Sequence, residues 1–204
     1  LDGELILYII GLTGGISCGK SSVAESLRRY CGAVTLDIDQ ITRWLLEPGG
    51  ALFDVYVRHF GKYVVTREGV LNRRLIGEII FNHPDEREWI NSVAHPVLLN
   101  KARDFLVDCC EAGAGLVVLE VPLLFEAGWE FLFDEIWAVY TKRQTQIRRL
   151  MFRDNLTKQQ ALSRINAQMP VQEICRRADV RIKNLGGYGA VRRQVFAALR
   201  GRKF

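Results

Sequence analysis

Leu5-Ile6-Leu7-Tyr8-Ile9-Ile10-Gly11-Leu12-Thr13-Gly14-Gly15-Ile16-Ser17-Cys18-Gly19-Lys20-Ser21-Ser22 decides the fold. Its first half is apolar at consecutive positions, as in a strand buried on both faces of a parallel sheet. Its second half, from Gly14 to Ser21, matches G-x-x-x-x-G-K-[ST] in full. Such a loop wraps a phosphate: small residues let backbone N–H groups point inward, and the following helix adds the positive end of its dipole. Lys20 is placed to neutralise β- and γ-phosphate charge, and the Ser21 hydroxyl to ligate Mg²⁺. An amphipathic stretch from Ser21 to about Tyr30 follows, so strand, loop and helix come in the required order.

Working outward, short apolar runs alternate with amphipathic stretches along the chain, which predicts a parallel sheet with crossover helices. Five core strands are expected near residues 5–11, 33–36, 116–121, 135–140 and 180–182. The fold class is α/β, a three-layer phosphate-loop NTPase fold. Residues 40–115 hold no convincing core strand but carry helical patterns near 51–60, 72–81 and 96–111. Asn82-His83-Pro84 and His95-Pro96 punctuate them, because a residue before proline disfavours helix. An excursion of this length predicts a helical subdomain for a second substrate. A second excursion, 142–164, carries Lys142, Arg143, Arg148, Arg149, Arg153, Lys158 and Arg164 on a helical pattern. It reads either as a lid over phosphates or as a solvated basic face.

Asp37-Ile38-Asp39 closes the second strand candidate. In an extended segment, residues i and i+2 face one side, so both carboxylates would point together at the strand's C-terminal edge, where open α/β sheets bind ligands. One could accept a hydroxyl proton and the other order Mg²⁺. The competing reading makes Asp39 the N-cap of a helix starting near Gln40. Glu120 ends the run Leu116–Leu119, and reads equally as an acid holding magnesium through water or as an ordinary strand-end charge.

The bulk properties agree. The chain has 204 residues, 49% hydrophobic and 25% charged, with net charge +5. That is ordinary globular composition with a bias toward anionic partners. Five cysteines without a CxxC pair predict reduced thiols and a cytoplasmic setting. No apolar run reaches the roughly 18–20 residues of a membrane span. The absence of Asn-Lys-x-Asp weighs against a GTPase. A nucleic-acid-binding ATPase would suit the charge, but no aromatic RNA-binding motif or helix-turn-helix pattern is present. A small-molecule kinase fits best, with nucleosides or nucleoside monophosphates among the acceptors to compare.

Further segments sharpen this. Gly11–Ile16 before Gly19-Lys20-Ser21, the Asp37/Asp39 pair and Pro122-Leu123-Leu124-Phe125-Glu126 resemble the dephospho-CoA kinases. So do Leu71-Asn72-Arg73-Arg74-Leu75, His95-Pro96, Arg149-Leu150-x-x-Arg153-Asp154 and Arg164-Ile165-x-x-Gln168-Met169-Pro170. The segments run in family order across nearly the whole chain. The resemblance implies phosphorylation of the ribose 3′-hydroxyl of dephospho-CoA by ATP with Mg²⁺. It implies Asp39 as base with Asp37 in support, and Lys20, Thr13 and Arg149 at the reacting phosphate. ATP would lie against Gly14, Gly15, Ile16, Ser17, Cys18, Gly19, Lys20, Ser21, Ser22, Arg149, Arg153 and Asn184. The acceptor would meet Asp39, Arg43, Arg73, His95, Leu123, Leu124 and Glu126, and the metal Ser21 and Asp37. The core would span 1–40, 113–141 and 170–204, the CoA-binding subdomain about 41–112 and the lid about 142–169. ATP and dephospho-CoA are the expected partners, with no nucleic acid and no membrane, in a monomer or small oligomer. Two departures stand out: Ser17-Cys18 replaces a smaller pair in the loop, and Lys183 stands where an Asp is usual.

Overall fold

A computed structural model describes residues 7–202. In chain order it has β1 (Tyr8–Gly14), α1 (Lys20–Cys31), β2 (Val34–Asp37), α2 (Ile38–Leu45), α3 (Phe53–Phe60), α4 (Arg73–Asn82) and α5 (Pro84–Glu111). Then follow β3 (Leu116–Glu120), β4 (Glu135–Tyr140), α6 (Arg143–Asp154), α7 (Lys158–Asn166), α8 (Val171–Arg177), β5 (Val180–Lys183) and α9 (Tyr188–Leu199). The five strands form one sheet in the order β2-β3-β1-β4-β5, with every pairing parallel.

Alternation along the strands sorts the core into layers. Ile10 and Leu12, Leu116 and Val118, Trp137 and Val139, and Ile182 lie in one cluster with Val23 and Leu27 of α1 and Val191 and Val195 of α9. Their intervening neighbours Val117, Leu119, Ile136 and Ala138 are buried too. Both faces are therefore covered, with α8 packed against β1 and β4. Burial on both faces is why these strands read as unbroken apolar runs. At roughly 1.5–3 kcal/mol per fully buried large apolar side chain, this cluster is the main stabilising term of the sheet.

The chain divides into two compact units, one holding residues up to Asp37 and from Leu106 onward, the other Ile38–Phe105. The second is helical, and among its described residues the only bridge is the isolated antiparallel pair Val65–Leu71. Tyr56 and Phe60 of α3 meet Trp89 of α5 with ring centroids 5.8 and 5.6 Å apart. His59 stacks on Trp89 at 3.5 Å, with its Nε2 2.6 Å from Glu86 Oε2. Asn72 caps α4, its side chain accepting from the Leu75 N–H at 3.1 Å.

Three expectations are corrected. The first strand is Tyr8–Gly14 rather than 5–11, because its ladder to β4 continues as far as Gly14–Val139; Leu5 and Ile6 lie outside the described residues. Second, α5 does not begin at Pro96: it starts at Pro84, a favoured first helical position, and runs through Pro96. A mid-helix proline removes one hydrogen bond and costs about 3 kcal/mol. Ala94, Leu98 and Ala102, four residues apart on one buried face, offset that loss by packing across it. Third, the backbone after Asp37 is helical at once, so Asp39 sits in the first turn of α2 and not in an extended segment. Ile38, Ile41 and Leu45 explain this, since their three- and four-residue spacing buries one face of α2. Among the described residues, no helix is long and apolar enough to cross a membrane.

Candidate active site

The phosphate loop joins β1 to α1, with positive φ at Gly14, Ser17 and Gly19. Gly14 has no substitute: its φ is 138°, and an added Cβ would lie 2.1 Å from the Val139 carbonyl oxygen of the neighbouring strand. Lys20 opens α1 and turns back, its Nζ donating to the Gly14 carbonyl at 3.1 Å. The Ser22 N–H donates to the Gly19 carbonyl at 3.2 Å, starting the helix. Thr13, buried at the end of β1, donates from Oγ1 to the Pro122 carbonyl at 3.4 Å.

Sheet register assembles the carboxylates. In the β2–β3 ladder Asp37 pairs with Glu120, and in the β1–β3 ladder Glu120 pairs with Leu12, next to Thr13. The two acids therefore lie side by side on one face at the C-terminal edge. Ser21 Oγ donates to Glu120 Oε2 at 3.3 Å. Hydroxyl and carboxylate oxygens on adjacent elements form a hard-donor set, which suits Mg²⁺. Among the described residues, no group of three or more His, Cys, Asp or Glu is placed to hold a metal by itself. Magnesium in phosphate-binding sites needs only one or two carboxylates, because phosphate and water complete its shell.

The second basic excursion forms α6 and α7. Arg149 Nη1 donates to the Ser17 and Cys18 carbonyls at 3.2 and 3.3 Å. Arg153 makes two bonds to Asp154, at 2.7 and 2.9 Å, and Arg164 adds a third at 2.9 Å. The Arg153 hydrogen bond, more than the charges around it, holds the Asp154 carboxyl below its ordinary range despite partial burial. Asn184, just past β5, is buried and donates to the Cys18 carbonyl at 3.0 Å. In the Pro122–Glu126 segment, Leu123 is 40% exposed while Leu124 is fully buried. Glu126 Oε1 accepts from the Met169 N–H at 3.1 Å.

Cys18 is 0% exposed, and burial pushes its thiol up against the opposing pull of Lys20 and Arg149. A buried, protonated thiol is a poor nucleophile, so Cys18 behaves as a small apolar filler of the loop.

The helical unit holds the remaining sequence-predicted residues. Asp39 and Arg43 lie in the first and last turns of α2, and Arg73 opens α4 and donates to the Arg43 carbonyl at 2.8 Å. His95 sits half-buried within α5, and burial lowers its pKa, favouring the neutral imidazole.

Sequence reading placed the loop and its cations, yet left Glu120 undecided and did not single out Gln146 or Gln168. Both glutamines touch the loop backbone at Ile16. Gln168 lies within the Arg164–Pro170 segment, but no local pattern marks a glutamine that meets a loop more than a hundred residues away.

The family profile described as Dephospho-CoA kinase matches residues 8–189. The dephospho-CoA kinase of Carboxydothermus hydrogenoformans is 40% identical over 195 residues, spanning 96% of this chain and 94% of that protein. A crystal structure from Thermus thermophilus superposes with a TM-score of 0.81 at 32% identity, covering 97% of this chain and 98% of the other. The dephospho-CoA kinase from Campylobacter jejuni gives 0.67 at 25% identity, covering 96% of each.

Proposed function

The chain belongs to the dephospho-CoA kinase family, and from that premise we propose how its residues divide the reaction. It is a kinase: the γ-phosphoryl group of ATP passes to the ribose 3′-hydroxyl of dephospho-CoA, giving coenzyme A and ADP, the last step of coenzyme A synthesis. The observation that carries this reading is the family match over residues 8–189, which includes an intact phosphate loop with Lys20 and Ser21 in place.

Backbone N–H groups of the Gly14–Ser21 loop, other than that of Ile16, which donates to Gln168, cradle the ATP phosphates, and Lys20 spreads its charge over the β- and γ-oxygens. Asp39 accepts the proton of the attacking hydroxyl, and Asp37 supports it. Arg149 has donors beyond those given to the loop carbonyls, and these stabilise charge on the equatorial oxygens of the transferring group. Thr13 lies beside that group, Arg153 and Asn184 serve the nucleotide, and Arg43, Arg73, His95, Leu123, Leu124 and Glu126 serve the acceptor. Residues 41–112 act as the CoA-binding part and 142–169 as the lid.

Ser21, Asp37 and Glu120 are the residues that would hold Mg²⁺, which when bound neutralises phosphate charge. Glu120 acts from behind Ser21, to which it is hydrogen-bonded. Outer-shell groups of this kind typically change metal affinity 10–100-fold. Glu120→Gln is expected to raise the Mg²⁺ concentration for half-maximal turnover about 10-fold, with saturating activity retained; a magnesium titration of ADP release checks it, and an unchanged titration assigns Glu120 to strand-end packing.

The test of function is ADP release from Mg-ATP with dephospho-CoA, beside adenosine and AMP as acceptors. Turnover confined to dephospho-CoA, with coenzyme A found by mass, is expected. Turnover with adenosine or AMP instead would move the acceptor assignment to a nucleoside or nucleotide.

A further inference from the structure

A phosphate loop turns its N–H groups inward, so its carbonyls face away and need donors of their own. Three successive carbonyls have them here. Ile16 O accepts from Gln146 Nε2 at 2.9 Å, and the Ser17 and Cys18 oxygens accept from Arg149 and Asn184 as described. The Ile16 N–H is also engaged, donating to Gln168 Oε1 at 2.7 Å. Ile16 is therefore gripped on both of its backbone groups, from α6 on one side and from the segment after α7 on the other.

The grip is built into its surroundings. Gln146 is only 3% exposed. It comes so close to the loop that a Cβ on Gly15 would lie 2.7 Å from its Nε2, so a side chain at Gly15 would push the Gln146 amide off the loop. Gln168 is anchored through the next residue, Met169, whose N–H is bound by Glu126.

We propose that Gln146 and Gln168 are positioning residues that hold the crest of the phosphate loop in its phosphate-accepting shape. Through them, residues 142–169 set ATP affinity by way of Ile16, without either glutamine touching the nucleotide. A loop that is competent for a fraction of the time binds with an affinity reduced by that fraction. Ground-state and transition-state phosphates use the same cradle, so the loss falls on KM for ATP and not on kcat. The inference rests on reading the loop as the ATP site.

Methionine matches glutamine in length but neither donates nor accepts strongly here. Gln146→Met and Gln168→Met are each expected to raise KM for ATP about fivefold, the scale of one lost hydrogen bond, with kcat within about twofold. In the ligand-free protein, exchange of the Ile16 amide hydrogen speeds up in Gln168→Met and stays slow in Gln168→Glu, whose carboxylate still accepts. A purely structural role would lower Tm without this split between the two Gln168 variants. Unchanged KM in both methionine variants, or equal Ile16 exchange in Gln168→Met and wild type, would overturn the proposal. Absence of wild-type turnover with dephospho-CoA would count against the proposed reaction alone, since calorimetric ATP affinity and Ile16 exchange still decide the role of the glutamines.

Discussion

Asp39→Asn is expected to lower kcat by about 10²–10⁴-fold while the affinity for ATP stays within about twofold, the range for removing a general base. The amide matches the carboxylate in shape but cannot take the proton of the attacking hydroxyl. Its position makes the test clean. Asp39 is exposed in the first turn of α2, on a helix held by buried Ile38, Ile41 and Leu45. A negative charge in a first helical turn is worth about 0.3–1 kcal/mol at an exposed site, so the substitution costs little stability. That cost would move Tm by a few degrees at most and cannot account for a hundredfold loss of turnover. ADP release and calorimetric ATP binding on the same preparation separate the two effects. Turnover near the wild-type level would remove Asp39 from the mechanism and leave it as a charge complementing the α2 dipole.

Lys20→Met is expected to lower kcat by about 10²–10³-fold, the scale of losing one preorganised cation at a transition state that accumulates charge on oxygen. Lys20 also donates to the Gly14 carbonyl at 3.1 Å, so part of its role is internal to the loop. The two roles are read in different constants. A hydrogen bond from a charged group is worth about 1.5–3 kcal/mol, and its loss loosens the loop before anything binds, raising KM for ATP. Neutralising charge as it develops on the transferring group acts on kcat. A methionine keeps most of the apolar stem and removes only the ammonium. If KM rises while kcat stays within threefold, Lys20 is a structural strut of the loop; the expected result is a large fall in kcat with or without the rise.

Much of this was legible in the amino-acid order. Strands β3 and β4 were placed to within a residue because a strand buried on both faces is apolar at nearly every position, charged only at its ends here, and a run this short is too brief for a buried helix. The phosphate loop was legible because each residue type in it answers a local requirement: glycines where the backbone takes a positive φ, a lysine and a hydroxyl at the start of the helix. The local order misled where two local rules competed. Asp37-Ile38-Asp39 looks extended if the strand continues, and helical if Ile38 belongs with Ile41 and Leu45; burial of that apolar face settled it. His95-Pro96 marks a break by local sterics, yet α5 passes through because Ala94, Leu98 and Ala102 pack on one face.

The sequence by itself determined the apolar runs of the strands, the phosphate loop and the identity of its cation and hydroxyl, because these depend on residues within a few positions of one another. Tertiary structure alone decided what surrounds the loop. Glu120 meets Ser21 across 99 residues, and Gln146 and Gln168 meet Ile16 across 130 and 152. Those pairings follow from the strand order β2-β3-β1-β4-β5, which sets β3 and β4 on either side of β1. No periodicity encodes them, since a hydrogen bond between distant segments exists only once packing has brought their backbones side by side.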